Sequence, residues 1–390
     1  MPVSPGMAED LASAVASLYE QAELALIERV TRALAEGLES PLWAELKLAA
    51  IGNLRTAIEE IIAVLQVDAS GAMHQALAEA YDRGQQAAIA ELGAVAVGPA
   101  LAAAEAVPAA AAVDRLAAAL IGETGPVHAR ILRTGMDVYR QVIAEATSAP
   151  LLGGETRRQA AARALAKFAD RGVTGFVDNR GRAWSMTTYA EMATRSAVGR
   201  AAVQAHTDRL AAAGVDLVVV SDAPEECPRC KPWEGKVLRR EGPSGTGVVE
   251  MEHATDDGRT VRVRVAGSLP EARSRGLMHP NCRHTVSIYL PGLTRSPGPK
   301  KARSRATYEQ SQQQRYLERQ VRAWKRRAAG ALDDDKRKRA NAQVREYQGR
   351  IRELVADTGL PRKSHREQID IEARPATAER PARPARPAVR

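Results

Sequence analysis

Two ligand pairs constrain this chain more than any other feature. Cys227-Pro228-Arg229-Cys230 opens a stretch that closes on His279-Pro280-Asn281-Cys282-Arg283-His284. All three cysteines of the 390 residues lie inside it. Two soft ligands separated by two residues reach one metal from a single tight turn, and a second pair at that spacing completes a tetrahedron. Pro228 and Pro280 each follow a candidate ligand and hold φ where a knuckle bends. The expected Zn2+ ligands are therefore Cys227, Cys230, His279 and Cys282, with His284 or His253 as the alternative nitrogen donor. A fully ligated Cys₃His site has no position for water, so it is structural rather than catalytic. The competing reading is three reduced thiols buried as small hydrophobes. A disulfide framework is disfavoured by the odd cysteine count.

Aromatic residues make up 4% of the chain while alanine and arginine abound, which favours long helices over a β-sandwich. Met1 to Gly6 offers no charged leader before an apolar core, so no export signal is expected and a reducing cytoplasm is the expected site of synthesis. The apolar run from Gly93 to Val113 is broken by Pro99 and Pro108 and contains Glu105, which argues against a membrane span. The net charge of +9 is segregated. Residues 295–390 hold 26 Lys and Arg against 12 Asp and Glu, a balance of +14, which leaves −5 for the first 294.

The expected fold class is α+β and mostly helical, in four parts: a helical domain over 1–150, an α+β domain with the knuckles over 151–294, a basic helical arm over 295–360 and a disordered Arg/Pro/Ala tail over 361–390. Leu11, Val15, Leu18, Ala22, Leu26 and Val30 stripe one helix. Leu42, Leu46, Ala50, Leu54, Ile58 and Ile61-Ile62 stripe a second, capped at Ser40-Pro41. A third begins near Ser70-Gly71, and Pro108 and Pro126 open two more. Tyr19, Tyr81 and Tyr139 sit in these helices with no chemistry assigned. After a linker at Ala149–Gly154, a helix spans Thr156 to Asp170, and a hairpin turns on Asn179-Arg180-Gly181. Thr188 and Glu191 have capping-box spacing for the next helix. Leu217–Val220, Lys236–Leu238, Val248–Met251, Thr260–Val265 and Val286–Tyr289 read as strands of a small antiparallel sheet stapled by the metal. Closing a loop of ~48 residues without a staple costs several kcal/mol. Beyond Pro297-Gly298-Pro299, two polar helices cover about Thr307–Ala329 and Asp333–Asp357, and Ala373–Arg390 is expected to be disordered.

Gly181-Arg182-Ala183-Trp184 before Tyr189-Ala190-Glu191-Met192, the C-x-x-C knuckle with Trp233-Glu234-Gly235-Lys236-Val237, and Gly276-Leu277-Met278 leading into the His279–His284 ending together resemble tailed-phage minor capsid proteins. The group is the Mu F-like one, of the minor capsid protein 2 type, and the resemblance covers about Thr156 to Gly292. It implies a head-morphogenesis component in the virion, inside the head at the portal vertex, made in the host cytoplasm. The implied partners are the portal protein, the major capsid protein or both. Some relatives carry a C-terminal toxin domain, but here only basic helices and a tail follow Gly292.

Basic residues of the last quarter can neutralise phosphates of packaged double-stranded DNA without reading sequence. The expected contacts are Lys325, Arg326, Arg327, Lys336, Arg337, Lys338 and Arg339. A solvated basic helix pair is the bland alternative. No H-E-x-x-H or P-loop is present, and no enzyme is expected. The rival readings are a His-Asn-His type metal-dependent nuclease built on His279, Asn281 and His284, and a zinc-ribbon nucleic-acid binder.

Overall fold

The computed structural model describes residues 6–94, 109–151, 155–177, 181, 183–222, 227–242, 245–280, 282–294, 307–363 and 366–367. The expected leader-free start Met1–Pro5, the prolines Pro99 and Pro108, the end of the linker at Leu152–Gly154, the turn residues Asn179 and Arg180, the Pro297–Pro299 break and the Ala373–Arg390 tail lie outside these residues, as does Asn281.

Six helices gather around one large core: α1 (Met7–Ala35), α2 (Trp43–Ala49), α3 (Ile51–Gly93), α4 (Ala109–Leu151), α5 (Arg157–Arg171) and α6 (Met186–Ala212). The α1 stripe behaves as its spacing demands, with Val15, Ala22, Leu26 and Val30 buried. Tyr19, Tyr81 and Tyr139 are core residues. The core takes Leu165, Val198 and Ala202 from beyond residue 150 as well as side chains before it.

Three helix boundaries in the first 150 residues differ from the sequence reading. Ser70-Gly71 starts no helix, because α3 runs unbroken for 43 residues. Pro126 likewise lies inside the 43-residue α4. A mid-helix glycine costs about 1 kcal/mol and a proline about 3. Burial of neighbours such as Met73, Leu77, Val127 and Ile131 at roughly 1.5–3 kcal/mol each outweighs both. At the third boundary, α2 starts after Leu42 rather than at Ser40-Pro41, and the chain resets at Ala50 before α3. The reset leaves Leu42 and Leu46 exposed, while Trp43 is buried and donates from Nε1 to Leu34 O at 3.0 Å.

α3 and α6 cross with their backbones in close approach. A Cβ added at Gly84 would lie 2.3 Å from the carbonyl oxygen of Ala202 and 2.9 Å from Ala205 Cβ. Only glycine admits so close a backbone approach.

α5 begins with the capping box of Thr156 and Gln159. β1 (Thr174–Val177) and β2 (Ala183–Ser185) form the expected hairpin and feed α6. Ser185 caps α6 by accepting from Thr188 N, three residues before the expected cap, and Glu191 faces Arg195 and Arg366 instead.

The sheet comprises β3 (Leu217–Val220), β4 (Val237–Arg239), β5 (Gly247–Glu252), β6 (Thr260–Ser268) and β7 (Val286–Ile288), in the order β5-β6-β4-β3-β7. It is mixed rather than antiparallel, because β4 and β6 run parallel. The link between them passes through β5, which hairpins onto β6 and returns the chain in the direction of β4. α7 (Leu269–Ser274) follows β6, with Ser268 as its cap. The central strand β3 is buried throughout. Val218 and Val220 join Leu238, Cys230, Trp233 and Leu277, while Leu217 joins Val237, Val263 and Val265. Glu91 fastens this sheet to the helices. Its carboxylate accepts from Ile288 N at 2.8 Å and lies 3.0 Å from His206 Nε2.

Two polar helices close the described chain, α8 (Tyr308–Ala329) and α9 (Asp334–Thr358), starting at Thr307 and Asp333 as their capping residues dictate. Leu317, Val321, Val344 and Ile351 form the seam between them. Among the described residues, no helix is long and apolar enough to cross a membrane.

Candidate metal centre

Strand pairing brings the two knuckles together. β3 leads into the first knuckle, β7 follows the second, and Val220 pairs with Val286 in antiparallel register. The pairing continues one step toward the knuckles: Ser221 N donates to Thr285 O and Thr285 N to Ser221 Oγ, both at 2.9 Å. The end of one strand and the start of its neighbour therefore deliver residues about 50 positions apart in sequence to one place.

Each knuckle is a tight turn. Cys230 N and Lys231 N both donate to Cys227 O at 3.1 Å, and a 3₁₀ turn over Lys231–Trp233 follows. Cys282 N donates to His279 O at 2.8 Å. Met278, immediately upstream, has φ of 57°, a left-handed conformation that costs a non-glycine residue roughly 1 kcal/mol or more.

The four expected ligands do not fall in one group: two overlapping triads form, Cys227/Cys230/His279 and Cys230/Cys282/His284, with the donor atoms of each within 4.8 Å of one another, so that Cys282 is grouped with His284 rather than with Cys227 and His279. His279 Nε2 is 3.0 Å from Cys227 Sγ, Cys230 Sγ is 3.5 Å from Cys282 Sγ, and His284 Nδ1 is 3.3 Å from Cys282 Sγ. With metal bonds of about 2.3 Å to sulfur and 2.0–2.1 Å to nitrogen, the edges of a tetrahedron are roughly 3.5–3.8 Å. The Cys230–Cys282 separation is close to such an edge, while the two nitrogen–sulfur separations are shorter, at hydrogen-bond length. A disulfide has its sulfurs about 2.05 Å apart, and all three cysteines are free.

The second histidine was open as an alternative in the sequence, and the fold gives it a partner that sequence reasoning missed. Glu234 Oε1 lies 2.6 Å from His284 Nε2. A carboxylate on the far nitrogen fixes the ring and aims Nδ1 at the cysteines, as in carboxylate–histidine–metal arrangements. Glu234 stands four residues after Cys230, in the same Trp233–Val237 run that carries the family resemblance. His279 Nδ1 lies 2.7 Å from Pro280 O, which directs Nε2 to Cys227. His253 belongs to neither triad; its ring packs against Gly292.

The electrostatics suit ionised sulfur. The Cys230 hydrogen bond and, after it, His284 hold the Cys282 thiol down at about 4 against the opposing effect of burial. Burial would raise Cys227, but the His279 hydrogen bond together with those from the Cys230 and Arg229 backbone and the Cys230 side chain outweighs it and leaves that thiol below its ordinary value. Cys230 is pushed up by its contact with Cys282 and by burial. Burial would lower His284, yet Cys282 and Glu234 raise it. Protons shared this closely among sulfur and nitrogen are what a divalent cation displaces on binding.

The basic residues divide into two sets. Lys325 donates to Glu367 O, Arg326 donates to Ala169 O at 2.8 Å and pairs with Glu23 at 3.5 Å, and Arg327 is ion-paired with Asp170. These three are engaged within the chain rather than standing in water. Lys336, Arg337, Lys338 and Arg339 are exposed on the first turns of α9, where Asp333 and Asp334 are local partners of the first two.

The sequence profile of the family described as phage minor capsid protein 2 matches residues 3–356. A structural protein of Lactococcus phage LL-H is 26% identical over 231 residues, covering 56% of this chain and 57% of that protein. A structural protein of Lactococcus phage mv4 is 33% identical over 100 residues, covering 24% of this chain and 81% of that protein. The chain thus spans little more than half the length of the first of these relatives. No solved structure matches the chain.

Proposed function

The chain belongs to the phage minor capsid protein 2 family, and on that premise we propose that it is a non-catalytic building part of the virion, folded around one structural Zn2+. The observation that carries this reading is the meeting of Cys227, Cys230, His279, Cys282 and His284 from two distant knuckles. Cys230 belongs to both triads and takes a central ligand position, with Cys227 and Cys282 beside it. His279 completes the set in the first triad and His284 in the second. Zinc bound by three thiolates and an imidazole leaves no position for a reacting water. Both histidines that a nuclease would use as base or metal ligand face cysteine sulfur.

The place of action in this reading is the head interior at the portal vertex, with the portal or major capsid protein as partner. The exposed Lys336–Arg339 run, rather than Lys325–Arg327, is the part of the arm that reaches packaged double-stranded DNA. Elemental analysis of purified protein should give about one zinc per chain, and Cys230→Ser should lower metal content and melting temperature together. Metal-free protein with unchanged melting removes the zinc reading. Assembled heads that lack this chain remove the virion reading.

A further inference from the structure

The arm made of α8, α9 and the residues that follow to Glu367 carries its own apolar seam. Leu317, Val321, Val344 and Ile351 form it, and among the described residues no side chain of the body belongs to that cluster. The arm's apolar footing on the body is narrow, with Ala329 and Leu332 touching the main core at the end of α8. Beyond that footing the arm meets the body through charge. Arg326 pairs with Glu23 at 3.5 Å and donates from Nε to Ala169 O at 2.8 Å. Arg327 holds Asp170, with Nη2 2.6 Å from Oδ2. Farther along, Lys363 is ion-paired with Glu9, and Arg366 lies 3.3 Å from Glu9 and 3.6 Å from Glu191.

Each side also has partners of its own. Within the body, Glu9 faces Arg283 at 3.4 Å and Glu191 faces Arg195 at 3.5 Å. Glu23 accepts from Val173 N at 2.8 Å and from Thr187 Oγ1 at 3.3 Å. Within the arm, Arg366 lies 3.5 Å from Glu318, and Arg362 donates twice to Glu367 at 2.8 Å. Removing one partner of a buried ion pair is costly when it strands the other charge. Parting the arm from the body strands none of Glu9, Glu23 and Glu191, because each keeps a partner on its own side. It also returns both ions of a cross-pair to water, and that hydration offsets much of the Coulomb energy lost. What remains is attraction between the −5 of the first 294 residues and the +14 of the last quarter. Such attraction reaches about 10 Å at 0.1 M salt and about 3 Å at 1 M.

We propose that the arm is an ionic clasp, which lifts off the body as a folded unit when a polyanion takes the place of the body's carboxylates on Arg326, Arg327, Lys363 and Arg366. The polyanion is nucleic-acid phosphate, which rests on the reading above in which α9 meets packaged DNA. Lys336, Arg337, Lys338 and Arg339 are exposed on α9 while the clasp is closed, so they make the first contact. A duplex presents one charge per about 1.7 Å of its axis, an array that the separate carboxylates of Glu9, Glu23 and Asp170 do not match. The seam between α8 and α9 stays closed as the arm lifts, since the body contributes nothing to it among the described residues. Closed, the clasp keeps the cations of α8 from polyanions; open, it adds them to the contact.

Zero-length carbodiimide coupling of the full chain reads the clasp directly, because it joins an amine to a carboxylate only where the two touch. Lys363 and Glu9 meet across the clasp, and Lys47 and Glu36, 3.7 Å apart within the body, serve as the control. Raising NaCl from about 0.1 M to 1 M should reduce the Lys363–Glu9 product about tenfold relative to the control, with helix content by far-UV circular dichroism unchanged. A DNA duplex added at the lower salt should have the same effect. Asp170→Asn removes a partly exposed anchor and should shift the balance toward the open form by about two- to fivefold. The clasp is overturned by a coupling yield that ignores salt, by helix content that falls together with the coupling, or by a duplex that binds and leaves the coupling as it was. A chain that binds no duplex at all removes the DNA reading, and the clasp then stands or falls on the salt response alone.

Discussion

Gly84 and Gly71 lie in the same helix, α3, and replacing each with alanine should move stability in opposite directions. An alanine normally improves a helix interior by about 0.5–1 kcal/mol, because glycine loses more backbone freedom on folding. At Gly71 nothing lies within 4 Å of an added Cβ, so Gly71→Ala should realise that gain. At Gly84 the methyl would sit 2.3 Å from Ala202 O and 3.0 Å from Ala202 C, both backbone atoms of α6 that no rotamer change can move. Restoring an ordinary contact of about 3.3 Å requires the helices to separate by roughly 1 Å. A gap of that size forfeits a quarter to a half of each dispersion contact across the crossing. Tyr81, Leu77, Val198 and Ala201 are all buried there. Overpacking of this kind costs about 1–3 kcal/mol, so after the propensity gain Gly84→Ala should be destabilised by about 0.5–2 kcal/mol. Urea denaturation followed by far-UV circular dichroism measures both, with the slope checked for constancy. A Gly84→Ala protein as stable as wild type would show that α3 and α6 do not cross as described. A destabilised Gly71→Ala would show that its face is covered.

The remaining expectations concern charge. Burial pushes the Glu20 carboxyl up to about 8 from 4.5, so the folded state holds a proton that the unfolded chain releases, and this contribution is complete below 4.5 and is lost as pH rises through 8. Glu20→Gln should therefore flatten the fall in melting temperature over that window, and an unaltered pH profile would contradict it. Arg326→Ala leaves Glu23, 3% exposed, without its ion partner and should cost about 3 kcal/mol. Arg337→Ala, on an exposed pair, should change stability by no more than about 0.5 kcal/mol. Equal effects in calorimetry would refute the docking of α8. Changing Lys336, Arg337, Lys338 and Arg339 together to glutamine should leave the fold intact and reduce the salt dependence of duplex binding by about 0.9 per lost phosphate contact in a log–log plot. An unchanged slope would move DNA contact off α9.

Local chemistry made much of this molecule legible in advance. Thr156, Thr307 and Asp333 cap helices where their side chains permit it. The hydrophobic spacing of α1 and the β-branched run of β3 appear as read. The two tight turns at Cys227–Cys230 and His279–Cys282 could be picked out because their spacing is itself the geometry of a turn. Capping, periodicity and knuckle spacing each depend on a few adjacent residues, so a linear reading contains them.

What the sequence could not contain is what depends on partners far along the chain. The continuity of α3 through Gly71 and of α4 through Pro126 was decided by burial against other helices. The parallel pairing of β4 with β6 was decided by the sheet as a whole. Glu234 meets His284 because β3 and β7 pair. Charge is the clearest instance. The +14 of the last quarter looks like a surface for polyanions, but acids of the body at Glu9, Glu23 and Asp170 draw Lys363, Arg326 and Arg327 onto it. Composition reports how much charge a segment carries, and only the folded chain settles which of those charges meet one another, because Coulomb energy depends on distance in space rather than along the chain.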